Sequence, residues 1–186
     1  MVFFLKKAQG QAAADAWVAA FERSSDPLRF KLQILLALNR VGEAGPVLRA
    51  ILDRSTPAER NDTLNAIPQT FARATDKAQA LAVVREALSG SLKQPDNAAA
   101  AWTTLGRMEL AAGQLPQSLV SARQGHQADP ASPFPALLAL ELLERGQPDA
   151  EALVRRHLQV SPQTPSGTPP VALTYARILL DLQRYA

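Results

Sequence analysis

Apolar residues recur along this chain at helical spacing, and short polar, proline- or glycine-containing breaks separate the stripes they form. Residues 77–88 illustrate the pattern, and Asp76 directly before them can cap the predicted helix. The inward face predicted for that helix consists of Ala80, Leu81, Val84 and Leu88. A first helix is predicted over residues 11–23, and strand-forming residues make no alternating runs. The pattern predicts an all-α chain of about nine or ten helices in antiparallel pairs.

The breaks in the first half of the chain predict where its helices begin and end. Gly42 and the dipeptide Gly45-Pro46 are expected to form a turn between two apolar stripes. Pro57 suits the first position of the next helix. Pro68 is expected to kink or split that helix, because proline removes a backbone donor and its ring meets the preceding turn.

The most specific pattern lies between Trp102 and Pro130, which stands 28 positions later. Trp102 is expected to open a helix, with Leu105 and Gly106 following it in the first turn. Gly106 would allow a partner helix to approach closely, and Gly113 would supply the positive φ that turns the chain. Pro130 would end the second helix. The pattern predicts a helix–turn–helix unit.

Less regular units follow this one. A helix is predicted from Ser132-Pro133 to Gly146, a second one ends at Pro162, and a polar loop leads to a helix over 171–184. No partner helix follows the last one, so we expect the chain to be a fragment of a longer array. An apolar face left open on that helix would favour self-association. Its expected members are Leu179, Leu182 and Tyr185.

The pattern from Trp102 to Pro130 resembles the tetratricopeptide repeat, a helix–turn–helix unit of about 34 residues. The resemblance places repeats at 99–132 and 133–162 and a partial repeat at 169–186, within one array over 1–186. In 133–162 the first helix fits two registers, one residue apart. The resemblance implies a right-handed α-solenoid that acts as a non-catalytic protein–protein interaction scaffold or adaptor. A protein or peptide segment, whose identity is unknown, would lie in the concave groove.

The segments AAWTTLGRMELAAGQLPQSL and LTYARILLDLQRYA also resemble tetratricopeptide-repeat lipoproteins of Gram-negative envelopes. Some of those proteins are adaptors for a periplasmic protease, so an accessory role in an envelope enzyme or protease complex is an alternative function. This resemblance favours the bacterial periplasm or envelope over the cytoplasm. The chain contains no cysteine, its start MVFFLKK lacks the features of a signal peptide, and no apolar stretch reaches the length of a membrane span.

Charge bears on a second alternative, an RNA-binding helical repeat. The chain has 20 Lys and Arg against 17 Asp and Glu, and the two signs are interleaved. A nucleic-acid binder is expected to concentrate its basic residues in a stripe with stacking aromatic side chains. We therefore expect no nucleic-acid partner.

Few residues of the chain are candidates for catalysis or metal binding. His126 and His157 lie at similar positions in the second helices of neighbouring units, and a catalytic or metal role for them is a further alternative. Neither has a ligand partner at helical spacing, so both are expected to be partly exposed. Glu141 and Glu144 are expected to form a solvated helix edge. The sequence thus predicts no catalytic residue, no metal and no cofactor.

The resemblance also assigns the residues that would face the groove, at fixed positions of the first helix in each unit. On this chain they are Thr103, Arg107, Leu110, Leu173, Arg177, Leu180 and Asp181, together with Ala100 and Ala111. Arg107 and Arg177 would be paired anchors for a carboxylate of the partner. The alternative is that each arginine pairs with an acid of its own chain. Trp102 is expected to belong to the core.

Overall fold

The computed structural model describes residues 26–161 and 170–182. Over these ranges the chain is all-α, without strands, which confirms the predicted fold class. The predicted helix over 11–23 lies outside the described residues. The nine described α-helices are α1 Pro27–Ala37, α2 Val41–Arg54, α3 Pro57–Thr70, α4 Lys77–Leu88, α5 Pro95–Ala111, α6 Leu115–Ala128, α7 Pro133–Glu144, α8 Glu151–Val160 and α9 Val171–Asp181. Short 3₁₀ turns at Ser91–Lys93 and Pro148–Ala150 precede α5 and α8.

The helices fall into two sets by their contacts. We call α1, α3, α5, α7 and α9 the A helices and α2, α4, α6 and α8 the B helices. From α3 to α9 each A helix packs on the next A helix, and α2 packs on α4 as α6 packs on α8. Consecutive helices also pack together at most steps along the chain. The substantial contacts among the described helices thus join elements one or two positions apart, as in stacked helix pairs. The right-handed superhelix stays a prediction.

Proline marks the repeat. Helices α3, α5 and α7 begin at Pro57, Pro95 and Pro133, and α9 begins at Val171 directly after Pro170, so from α3 to α9 successive A helices start 38 residues apart. The first helical turn tolerates proline because its N–H groups have no acceptor within the helix. This interval is longer than the expected 34 residues. The expectation that Trp102 opens a helix is wrong, since α5 begins seven residues earlier.

The turns after α1, α5 and α7 share one geometry. Asn39, Gly113 and Gly146 have φ angles of 55°, 77° and 81°, and the next residue donates its N–H back to a carbonyl of the preceding helix at 2.8–3.0 Å. This confirms the turn at Gly113. It also corrects the first turn, which lies at Asn39.

Gly42, Gly45 and Pro46 are therefore inside α2, contrary to the prediction of a turn there. The physical reason is the continuous buried face of this helix, which outweighs the poor helix propensity of glycine and proline. That face consists of Val41, Ala44, Val47, Leu48, Ile51 and Leu52. Helix α3 likewise continues through Pro68 to Thr70, so it is not split.

Helix α5 occupies the centre of the described structure. Its Leu105 and Met108 belong to the apolar core shared with α1 to α4, and its Leu110 belongs to the core shared with α6 to α9. Trp102 is half-buried and packs against the first core, as expected. None of the described helices has the length and apolar character that crossing a bilayer requires.

Candidate partner-binding cleft

The two predicted arginine anchors are engaged within the chain. Arg107 of α5 forms an ion pair with Glu141 of α7 at 3.5 Å, and Arg177 of α9 pairs with Glu144 of α7 at 3.1 Å. Each pair joins one A helix to the next. The structure thus contradicts the hypothesis of free paired anchors and supports the alternative, pairing with acids of the same chain. Glu141 and Glu144 lie on one edge of α7, as expected, but their ion pairs link α7 to α5 and α9.

The other predicted groove residues of α5 divide by exposure. Thr103 and Leu110 are only 1% and 4% exposed, and Ala100 is also buried, so their assignment to a partner-binding face is wrong. The hydroxyl of Thr103 donates to the Ala99 carbonyl at 2.8 Å. The reason is that α3, α4, α6 and α7 all pack on α5, whereas the repeat assignment supposes a helix open along one side. Ala111 is exposed.

The predicted groove residues of helix α9 are exposed to solvent. Leu173 and Leu180 are exposed by 68% and 58%, and Arg177 and Asp181 are exposed as well. Of the expected self-association face, Leu182 is exposed and Leu179 is half-buried, whereas Tyr185 lies outside the described residues. Binding through this face stays a prediction.

Sequence reasoning missed a cleft that crosses three successive A helices. It has a volume of about 360 Å³ and lies where α3, the first turns of α5 and the start of α7 meet. Asn61 and Asn65 come from α3, and Asp96 and Ala99 from α5. The lining is completed by Asp129, Ala131 and Ser132 from the segment that joins α6 to α7, and by Pro133 and Phe134 at the start of α7. We call this site the A-helix cleft.

Side-chain amides form one wall of the A-helix cleft. Asn97, which is 2% exposed, donates from its amide to Asn61 Oδ1 at 2.8 Å and to the Pro57 carbonyl at 3.0 Å. These hydrogen bonds between α5 and α3 fix the Asn61 amide at the cleft and leave its N–H₂ group to donate. The Asn65 side chain is half-buried and forms no hydrogen bond with the described residues. Two amides at a cleft wall can bind the N–H and C=O groups of an extended backbone.

The cleft is acidic. Asp96 and Asp129 line it, and the lining within the described ranges includes no Lys, Arg or His. One Asp129 oxygen, Oδ1, accepts the Ala131 N–H at 3.0 Å, which leaves Oδ2 available. Asp96 lies in the first turn of α5, where the helix dipole favours a carboxylate. The small Ala99 side chain and the Phe134 ring supply apolar surface. The arrangement therefore suits an extended segment that carries a basic side chain.

The two histidines depart from expectation because both are buried. His126 and His157 are 6% and 2% exposed, and their rings meet edge to face with centroids 6.2 Å apart. His157 Nδ1 lies 3.1 Å from the Pro130 carbonyl oxygen. Within the described ranges, no three His, Asp or Glu side chains are grouped so that they could hold a metal ion. The prediction that no metal is bound stays a prediction.

Comparison with known proteins leaves the site to be interpreted from its own geometry. No family model matches the chain, and neither a curated protein nor a solved structure matches it.

Proposed function

We propose that this chain is a non-catalytic interaction scaffold that binds an extended, basic protein segment across its A helices. The observation that carries the proposal is the A-helix cleft, which is lined by two amides, two carboxylates and apolar surface. The amides would bind the backbone of the segment, the carboxylates would pair with a Lys or Arg side chain, and Phe134 would contact an apolar neighbour.

The acidic lining supports a protein ligand over RNA, because carboxylates repel the phosphates of a nucleic acid. The arginine anchors implied a partner with a carboxylate, whereas the acidic cleft favours a partner with a basic side chain. The resemblance to envelope lipoproteins supports a periplasmic or envelope location and an adaptor role there. Both remain part of the proposal.

The test is a peptide array that compares extended segments containing Lys or Arg with uncharged and Glu-containing versions of the same segments. The best binder is then measured by fluorescence anisotropy against the wild type and three variants, Asn65→Ala, Asp96→Asn and Asp129→Asn. Each variant is expected to weaken binding about three- to tenfold, since it removes one polar contact at a partly solvated site. Asparagine at position 129 keeps the acceptor for the Ala131 N–H. Binding should also weaken as salt rises.

Asp53→Asn is the matched control. Asp53 is an exposed residue of α2, a B helix, so this substitution removes one negative charge, as each of the two aspartate variants does, without touching the cleft. A labelled single-stranded RNA serves as the second comparison and is expected not to bind. Preference for the acidic peptides, or equal affinity of the three cleft variants and the wild type, would refute the proposal.

A further inference from the structure

A second cleft lies between the B helices α6 and α8, apart from the A-helix cleft. Its volume is about 610 Å³. Helix α6 contributes one stripe of residues at helical spacing, which consists of Arg123, His126 and Gln127. Helix α8 contributes a facing stripe, which consists of Leu153, Arg156 and Val160. We call this site the B-helix cleft. It combines two guanidinium groups, a histidine and an apolar wall.

The two arginines differ from most others in the described part of the chain. Seven arginines there form ion pairs with acids of the chain, among them Arg155, the direct neighbour of Arg156. Arg123 and Arg156 have no carboxylate within ion-pair distance among the described residues, and both are exposed. No acidic residue lines the cleft over the same ranges. Two unpaired cations therefore converge on one cleft from adjacent helices.

His126 adds a polar group that the fold does not satisfy. It is 94% buried, and its Nδ1 has no hydrogen-bond partner among the described residues. Burial lowers the pKa of His126, the charges of His157 and Arg156 lower it further, and Asp129 acts in the opposite direction. The ring is therefore neutral at pH 7. An anion in the cleft would offset the nearby positive charges and raise this pKa.

The C-terminal ends of α6 and α8 provide the main effect that opposes anion binding in the cleft. Both helices end near the cleft, and the C-terminal end of a helix dipole disfavours an anion. That effect is confined to the last turn. Arg123 lies five residues before the end of α6 and Arg156 four before the end of α8. Full charges one turn inward outweigh the partial charges of the helix ends.

We propose that the B-helix cleft binds an organic anion. Its carboxylate or phosphate group lies between Arg123 and Arg156, and its apolar part packs on Leu153 and Val160. Arginine is suited to both anionic groups because its planar guanidinium donates two parallel hydrogen bonds. The volume of the cleft accommodates a ligand larger than an inorganic ion.

Histidine ring NMR tests this directly, because the chain has only two histidines. The probes are phenyl phosphate, benzoate and inorganic phosphate, each titrated at constant ionic strength, with His126→Gln used to assign the signals. Phenyl phosphate or benzoate is expected to shift the His126 signals saturably and to raise the His126 pKa, so that affinity increases as the pH falls. Whichever of the two binds more tightly identifies the anionic group.

Arg123→Gln and Arg156→Gln are each expected to weaken binding on the order of tenfold, as for loss of a charge-assisted contact. Arg145→Gln is the matched control, because Arg145 is an exposed arginine that follows α7 and lies outside the cleft. Equal weakening by all three variants, or no weakening by the two cleft variants, would overturn the proposal. Equal affinity for inorganic phosphate and phenyl phosphate would overturn the role of the apolar wall. None of these outcomes depends on the A-helix cleft.

Discussion

Gly106 is the position where a single added methyl group tests the packing of three helices. It lies in α5, where α6 and α7 both approach. A Cβ atom at this position would lie 2.5 Å from Leu138 Cδ2, 3.2 Å from Ser121 Cβ and 3.3 Å from the Ser118 carbonyl oxygen. Ser118 also donates its hydroxyl to the Gly106 carbonyl at 2.8 Å. The predicted close approach of a partner helix at Gly106 is thus confirmed, and α7 adds to it.

Two opposing effects set the magnitude for Gly106→Ala. Alanine gains about 1 kcal/mol of helix propensity over glycine. Overpacking a filled core costs about 1–3 kcal/mol. The upper part of that range applies because Leu138 is fully buried and cannot swing its methyl group into solvent. We therefore expect a net loss of about 1 kcal/mol, and a loss of about 3 kcal/mol for Gly106→Leu, whose larger side chain has no space.

The assay is thermal unfolding with a matched glycine as control. A loss of 1 kcal/mol lowers the Tm of a chain of this length by about 2–4 °C. Gly42 also lies in a helix, but it is exposed, and the nearest contact of an added Cβ would be Gln79 Nε2 at an ordinary 3.7 Å. Gly42→Ala is expected to hold or raise the Tm. If Gly106→Ala raises the Tm as Gly42→Ala does, the helices do not cross as closely as described.

Two further predictions concern buried polar groups. Arg85 and Arg49 are equally exposed, yet Arg85 pairs with Glu109, whose side chain is 5% exposed, and Arg49 pairs with Glu86, whose side chain is 77% exposed. Arg85→Met should cost about 1–3 kcal/mol, because it leaves a buried carboxylate without its cation, and Arg49→Met less than about 0.5 kcal/mol. Equal losses in urea unfolding would contradict this. Burial lowers the pKa of His126 from 6.5, so the unfolded chain binds the proton more tightly. Wild-type stability should therefore fall as the pH drops below about 6.5 and through the folded pKa, and His126→Gln should remove that part of the fall. Identical urea midpoints for the two proteins across this pH range would count against the lowered pKa.

The sequence determined the features that depend on neighbouring residues. Apolar spacing predicted an all-α chain, and Asp76 predicted the start of α4 at Lys77, where its side chain accepts the Gln79 N–H. Gly113 predicted its turn because few residues other than glycine adopt a positive φ. Asparagine also adopts a positive φ more readily than most residues, so Asn39 was the available signal for the turn that sequence reasoning missed. These preferences act within one or two helical turns, so they can be recognised without the fold.

Which residues are exposed, and which of them line a cleft, was decided only by the tertiary structure. Thr103 and Leu110 fit a groove-facing position in their own helix, but α6 and α7 pack over α5 and bury them. Arg107 forms an ion pair with Glu141, which lies 34 residues further along the chain. The A-helix cleft likewise forms from residues of three A helices and a connecting segment, and no spacing within one unit indicates it. Periodicity identifies the buried face of a single helix, whereas exposure of the opposite face depends on how far each neighbouring helix covers it. That packing is set between segments about 38 residues apart.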